Sequence, residues 1–315
     1  MLFETCQFRA DQVTKFYNSI FVAGWFHHPE DTLVSIGVDA PGVIGFTSSI
    51  GLPHGGVLNL GENLGFRAQF LHAENSFPAD MALLFTTRAG RQYRAPLDTL
   101  TAEGRAELAT APLIHRFRDE MQAMPAASIL DVGGRARSGA ARRDLFNVGR
   151  YTVLDVLADA GVDVVGDAHT LTAYFPPESF DGILSISVFE HLLMPWAVAV
   201  QMNQVLKPGG LALVFSHQAL GMHDLPWDFW RFSENAWDGL FNRHTGFEIL
   251  DRAMDRPQFI LPFIFSHDKH DAEAAVGYEG SCVLVRKIGP CQMTWPLAAA
   301  DATTSMYPQP VPPAG

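Results

Sequence analysis

The sequence predicts two folded modules and a tail. A small all-β sandwich occupies residues 1–100. An α/β domain with a doubly wound, mostly parallel, seven-stranded sheet occupies 101–290, and a C-terminal tail occupies 291–315. Two observations carry this division. Before residue 100, short apolar or alternating runs are broken by Gly, Pro, Asn and Asp, the texture of strands joined by turns. After residue 128, apolar strand-like runs recur with helical or polar segments between them, which is the order of a βαβ sheet. Bulk composition agrees with both, because 48% hydrophobic and 18% charged residues describe a globular chain.

In the first module, residues 21–26 are one apolar run and residues 32–38 alternate with a period of two. Residues 43–46, 65–71 and 81–86 follow as further strands. Asp31-Thr32 and Asp39-Ala40-Pro41-Gly42 read as turns. Near residue 100 Thr101 caps a predicted helix that runs to about Met121, with Ile114, Phe117 and Met121 on one face.

In the second module the strands are predicted at 128–132, 151–156, 162–167, 180–187 and 211–216, with two late strands at 247–250 and 281–285. Between the fourth and fifth lies a helix that opens on Pro195. It buries Val198, Met202, Val205 and Leu206, and it stops at Lys207-Pro208-Gly209-Gly210. Residues 296–315 are rich in Pro, Ala and Thr and read as a loosely held end.

Ligands of an open α/β sheet bind beyond the carboxyl ends of its strands. The first predicted strand ends in Asp131-Val132-Gly133-Gly134-Arg135, where glycines allow a sharp turn and a close backbone approach. The second ends at Asp155-Val156, a place from which a carboxylate accepts ribose hydroxyls. The third ends in Gly166-Asp167-Ala168-His169, where Asp167 faces the exocyclic amine of an adenine. The fourth ends in Ser187-Val188-Phe189-Glu190-His191, a floor beside such a ligand. Each has a plainer explanation, a tight turn or a solvated helix cap; their joint occurrence in order makes a nucleotide-like ligand the reading.

That order resembles the class I methyltransferases. Residues 129–134 resemble their first motif, Asp155 their ribose-binding acid, and 166–169 their adenine-side motif. Residues 180–183, 189–192 and 205–210 resemble the fourth and fifth strands with their joining helix. The resemblance covers about residues 105–290 and implies S-adenosylmethionine as cofactor. It assigns Asp131, Gly133, Gly134, Arg135, Asp155, Val156, Asp167, Ala168, His169, Ser187 and Phe189 to cofactor binding. There is one departure: Arg135 stands where the family's first motif has a glycine. Its side chain is expected near the methionine carboxylate of the cofactor, or exposed in a longer loop.

Methyl transfer is mainly a positioning problem, but a hydroxyl acceptor also needs a base. His191, His217, His223 and Asp224 are the candidates past the fourth and fifth strands. His217, His223 and Asp224 could together hold a divalent metal that orients a diol, but their spacing is not a recognised ligand pattern, so no metal is assigned. Residues 161–169 and 227–232 resemble methyltransferases associated with surface-glycan assembly, and the β-rich first module resembles sandwich modules on glycan-processing enzymes. A sugar, glycan end or other small-molecule acceptor is therefore expected, with O-methylation as the reaction. A natural-product or quinone-like acceptor, and a degenerate methyltransferase acting as a scaffold, remain open. The first module is also a candidate for holding copies of the chain together.

Other classes fit less well. A formal net charge of −12 repels a nucleic-acid backbone, although Arg135, Arg137, Arg142 and Arg143 form one local basic patch. The glycine spacing at 133–139 is not G-x-G-x-x-G, which argues against a dinucleotide, and no Walker motif occurs. The three cysteines Cys6, Cys282 and Cys291 make no CxxC pair. No run approaches the ~18 apolar residues of a membrane span, and the first residues lack a basic-then-apolar leader pattern, so a cytoplasmic protein is expected.

Overall fold

The computed structural model describes residues 6–16, 18–74, 78–97, 109–135, 141–260 and 276–302. The chain divides into two compact units, one of residues 1–107 with 259–275 and one of residues 108–258 with 276–315.

The first unit holds strands β1 (Gln7–Phe16), β2 (Ser19–His27), β3 (Leu33–Asp39), β4 (Val43–Leu52), β5 (Gly65–His72), β6 (Ala82–Thr87) and β7 (Gln92–Pro96). They form two antiparallel sheets, ordered β1-β2-β5-β4 and β3-β6-β7. The sheets share one core. Ile20, Val22, Phe66 and Phe70 come from the first sheet and Ile36, Leu83 and Phe85 from the second. Phe26 stacks on Phe85 across the layer at 4.9 Å between centroids. Alternation along each strand puts these side chains on one face. β1 has no counterpart in the expectation. Its apolar alternation is interrupted by a bulge between Ala10 and Gln12, and an inserted residue moves later side chains to the other face.

The second unit contains α1 (Ala111–Gln122), β8 (Ser128–Val132), β9 (Arg150–Asp155), β10 (Val164–Val165), β11 (Phe180–Ile186), α2 (Pro195–Val205), β12 (Leu206–His217), α3 (Ala236–Leu240), β13 (Phe247–Phe259), β14 (Val276–Lys287) and α4 (Ala299–Ala302). Its seven strands are ordered β10-β9-β8-β11-β12-β14-β13. The first five are parallel, and β14 runs antiparallel to β12. The period of two divides the inner strands between two cores. Leu130, Val132, Ile183, Ala212 and Val214 face α2 and α3; Ile129, Leu184, Leu211 and Leu213 face α1. Both faces of the parallel strands are thus covered, which is why those strands read as continuous apolar runs.

The sheet is less fully wound than expected. Among the described residues the links from β8 to β9 and from β10 to β11 carry 3-10 turns, Arg142–Leu145 and Ala168–Ala173, in place of crossover helices. Phe146 and Val148 cover the α1 side beside Phe117. The connecting helix begins at Ala111, with Pro112 in its first turn; the predicted cap Thr101 lies outside the described residues. The expected helix stop at 207–210 is already strand, because β12 pairs from Leu206 and takes up the extra residues in a bulge between its Leu206 and Leu211 partners on β11. Among the described residues no helix is long and apolar enough to cross a membrane.

One buried amide ties α2 to the far end of the sheet. The side chain of Asn203 is buried, donates to the carbonyl of Gly289 at 3.0 Å and accepts from the backbone N–H of Cys291 at 3.0 Å. Asn203→Ala leaves both backbone groups unpaired and should cost about 1–3 kcal/mol. The exposed neighbour Gln204→Ala should stay within about 0.5 kcal/mol of the parent. Urea-denaturation midpoints compare the two; equal losses would remove the anchoring role.

Candidate active site

The strand order reverses between β8 and β11, so the crevice beyond their carboxyl ends is the topological switch point of the sheet. A cavity of about 390 Å³ opens there. Val132, Gly133 and Arg135 border it from β8, Leu154–Leu157 from β9, Gly166–Ala168 from β10, and Ser187, Val188, His191 and Leu192 from β11. Asp224, Leu225 and Trp227 close it from the loop after β12.

A buried ionic knot fixes the floor. Asp131 is fully buried, and its Oδ2 accepts from Arg142 Nε at 3.0 Å and from the Tyr151 hydroxyl at 2.8 Å. Arg142 also donates to the carbonyls of Gly133 at 3.0 Å and Ile186 at 3.3 Å. One guanidinium therefore joins the ends of β8 and β11. Burial pushes the Asp131 carboxyl upward while Arg142 and Tyr151 oppose the rise, and burial with the neighbouring Asp131 pushes the Tyr151 phenol up. The glycines are required here. Gly133 has φ +70° and a Cβ on it would lie 2.2 Å from Val188 Cγ2; a Cβ on Gly134 would lie 2.5 Å from Asp131 Cγ. Asp131 and Gly134, expected at the cofactor, shape the floor from behind it and do not border the cavity.

Asp155 and Asp167 do border it. Asp155 Oδ1 accepts from the backbone N–H of Leu157 at 2.9 Å, and among the described residues its Oδ2 carries no hydrogen bond. Arg135 is directed to this carboxylate, with Nε 3.8 Å from Asp155 Oδ1 and no hydrogen-bond partner. The sequence left Arg135 either near the methionine carboxylate or exposed in a longer loop. The side chain instead lies toward the second strand of this sheet, β9. Asp167 Oδ1 accepts from the backbone N–H and from Nδ1 of His169, at 2.9 and 2.6 Å. His169 Nε2 accepts from the backbone N–H of Met194 at 3.1 Å, which fixes its neutral Nδ1–H tautomer. His169 is buried and spends both nitrogens on the protein, so it positions Asp167 and does not reach the cavity. Phe189 is likewise fully buried, packed against Phe232, Trp237 and Phe241.

The acceptor-side candidates split. His191 and Asp224 border the cavity, with Asp224 Oδ2 3.9 Å from His191 Nε2. His191 Nδ1 donates to the carbonyl of Trp227 at 2.8 Å. His223 stands edge-on behind His191 at 4.9 Å between ring centroids, and His217 is 5.6 Å from His223. Neither borders the cavity. His217 is buried, and burial holds its imidazole below the usual histidine range. Glu190, named in the sequence reading only as part of the run after the fourth strand, lies at the centre of the group: it is fully buried, with Oε2 accepting from the Ser216 hydroxyl at 2.6 Å. An acid between Phe189 and His191 in an otherwise apolar stretch was the available signal.

Three residues on the cavity wall have backbone angles of the left-handed region: Gly133 at φ +70°, Ser187 at +55° and Asp224 at +50°. Two are not glycine, and such conformations cluster at functional sites because they aim side chains that an ordinary turn would not.

A family model described as a methyltransferase domain matches residues 137–214, about a quarter of the chain. The match begins just after Arg135 and runs through β9 to β12, so it leaves out β8 and its glycine turn. The strand order is that of the class I methyltransferase fold, and the matched segment within the second unit is that of a methyltransferase domain, which supports S-adenosylmethionine as the cofactor. No curated protein matches the chain. Among solved structures, a SAM-dependent methyltransferase from Archaeoglobus fulgidus is 13% identical, covering 56% of this chain and 92% of its own, with TM-score 0.41. The Burkholderia thailandensis 1,6-didemethyltoxoflavin-N1-methyltransferase, solved with its substrate and S-adenosylhomocysteine, is 16% identical over 56% of this chain and 78% of its own, with TM-score 0.38. The [4+2]-cyclase SpnF is 19% identical over 60% of this chain and 85% of its own, with TM-score 0.39.

The loop carrying Asp224 and Trp227 is clamped by Asp228. Its buried carboxylate accepts from Arg231 at 2.6 and 2.8 Å and from the backbone N–H of His223 at 2.9 Å. The Arg231 hydrogen bonds hold the Asp228 carboxyl well below the usual range. A depressed folded-state value stabilises the fold above the unfolded value of about 3.9 and is lost as pH falls through the lower one. The melting-temperature gap between the parent and Asp228→Asn should therefore be constant from about pH 5 to about pH 8 and narrow below about pH 4. A gap that widens toward acid contradicts this sign.

Proposed function

We propose that the second unit transfers a methyl group from S-adenosylmethionine to a hydroxyl of a small acceptor, with a sugar or glycan end as the acceptor class. The observation that carries this reading is the single cavity bounded at one end by Asp155 and Asp167 and at the other by His191 and Asp224. The free Oδ2 of Asp155 suits the ribose hydroxyls. Asp167, held by His169, suits the adenine amine beside the apolar walls of Val156, Ala168 and Leu192. Gly133 and Ser187 leave backbone room for the methionine portion. Three carboxylates against one arginine on the wall favour a cationic sulfonium. When bound, the cofactor supplies an activated methyl carbon, so the chain's work is alignment and removal of one proton. Asp224, beside His191, receives that proton.

Support for a sugar comes from Trp227 beside Asp224, since an aromatic face with a neighbouring carboxylate suits a polyol. The lip of the cavity favours a second reading. Leu225, which borders the cavity, is 62% exposed, a surface suited to a flatter, more apolar natural-product acceptor. On the first reading, the first unit serves glycan binding or self-association, and sedimentation equilibrium of the full chain decides the latter.

Calorimetry with S-adenosylhomocysteine and a homocysteine-release screen test the proposal. Asp155→Asn should weaken S-adenosylhomocysteine at least about tenfold, the ~1.4 kcal/mol of one charge-assisted hydrogen bond. Arg135→Ala should change affinity less than about threefold, because its partner is Asp155 and not the methionine end. Turnover is expected with nucleotide sugars or glycan fragments before phenols. No heat with the parent at millimolar ligand would favour a scaffold that has lost the chemistry.

A further inference from the structure

Behind the acceptor end of the cavity lies a cluster whose hydrogen bonds are incomplete in a specific way. Glu190 is fully buried; its Oε2 is satisfied by Ser216, while its Oε1 has no hydrogen-bond partner. That orphan oxygen lies 3.8 Å from His191 Nε2 and 3.3 Å from His217 Nε2, the latter outside hydrogen-bonding geometry. A buried carboxylate oxygen without a partner is costly. His191 and His223, whose rings stand edge-on at 4.9 Å, share a second feature. His191 Nδ1 is held by the carbonyl of Trp227 at 2.8 Å, and His223 Nδ1 by the carbonyl of Gly221 at 3.1 Å. A backbone carbonyl on Nδ1 fixes the Nδ1–H tautomer and leaves the Nε2 lone pair available, which is how metal-binding histidines are held from behind. One ligand atom from each of Glu190, His191 and His223 lies within 4.8 Å of the other two. Arg231, the nearby cation, is engaged at two points by Asp228.

We propose that Glu190, His191 and His223 bind a first-row divalent transition cation whose open coordination position faces the cavity. Two imidazoles and one carboxylate with vacant positions suit zinc, iron(II), cobalt or manganese. Metal–ligand bonds of about 2.0–2.2 Å set ligand atoms roughly 3–4 Å apart, so binding draws the His223 loop inward by about an ångström. The role of the cation rests on the methyl-transfer reading above. An acceptor hydroxyl bound to the metal becomes more acidic and gives its proton to Asp224. The O–CH3 bond then forms as the S–CH3 bond breaks, and the electron pair of that bond stays on sulfur. Asp224, not His191, is the proton acceptor in this arrangement, because the Nε2 lone pair of His191 is spent on the metal. The metal and the cofactor site share the cavity wall but no ligand.

The full chain, stripped with a chelator and dialysed, is titrated with Co²⁺ and read by its visible absorption, then with Zn²⁺ by calorimetry. One equivalent should bind with a ligand-field band, and His223→Ala should weaken binding at least tenfold and abolish the band. Glu190→Gln should do the same; His223, on a half-exposed loop, keeps the test valid where the buried Glu190 change unfolds the chain, which near-UV circular dichroism reports. No saturable Co²⁺ or Zn²⁺ binding by the folded parent, or binding unchanged in His223→Ala, overturns the proposal. Calorimetry with S-adenosylhomocysteine in chelator separates the two claims. Cofactor binding without metal binding sinks the metal site alone, and metal binding without cofactor binding sinks the methyl-transfer reading alone.

Discussion

The contact between Arg142 and Asp131 sets the geometry on which the site depends. It lies beneath the cavity where the sheet changes direction, and it ties three strands at one point: β8 through Asp131 and Gly133, β9 through Tyr151 and β11 through Ile186. Parallel strands separate at a switch point because their connections leave in opposite directions. A charged side chain donating to both neighbouring strand ends holds the gap at a fixed width. Removing either partner of a buried pair strands the other charge, at a cost of about 3–5 kcal/mol. The absence of a glycine at position 135 follows the same logic. With Gly133 and Gly134 already filling the space beside Val188 and Asp131, the next residue is clear of the crowded turn and can carry a side chain to Asp155.

From that floor the two ends of the cavity are built differently. The Asp155 and Asp167 end is made at strand termini, and each carboxylate is oriented by a nearby backbone N–H or a buried imidazole. The His191 and Asp224 end is made by loops. The backbone N–H groups of Phe229 and Trp230 both donate to the carbonyl of Glu190, so the rim is bound to the segment that carries the proposed metal ligand. Strand ends give a fixed recognition element for an invariant cofactor. A loop held by a few bonds is the part that can be remodelled for a particular acceptor.

The legible part of the sequence was the part governed by local period. Residues 128–132 and 180–186 read as buried strands because both faces are covered, and Asp155 and Asp167 were visible as acids at strand ends. β1 was hidden by a bulge at Asp11, and β13 extends through Arg252 and Arg256, where an edge position permits charge, and through Asp255, which is buried against the Thr110 hydroxyl. The misread site residues share one cause. His169, Phe189 and Asp131 sit in the right segments, but tertiary contacts to Met194, Trp237 and Arg142 turn them inward. Glu190 was missed because nothing local distinguishes a buried acid from an exposed one. Its partner Ser216 is 26 residues away.

The histidine that orients Asp167 also gives the chain a built-in optical reporter. His169 joins the cavity wall to the backbone of Met194. The Met194 sulfur accepts from the indole of Trp295, and Trp196 lies edge-on to both Trp295 and Trp230 at 5.4 and 5.6 Å. A ligand that shifts the Asp167 carboxylate acts on one end of this relay, and the other end is a cluster of three indoles outside the cavity. Intrinsic fluorescence is therefore an expected readout of a shift at Asp167, with Trp227→Phe removing the signal of the indole that borders the cavity itself.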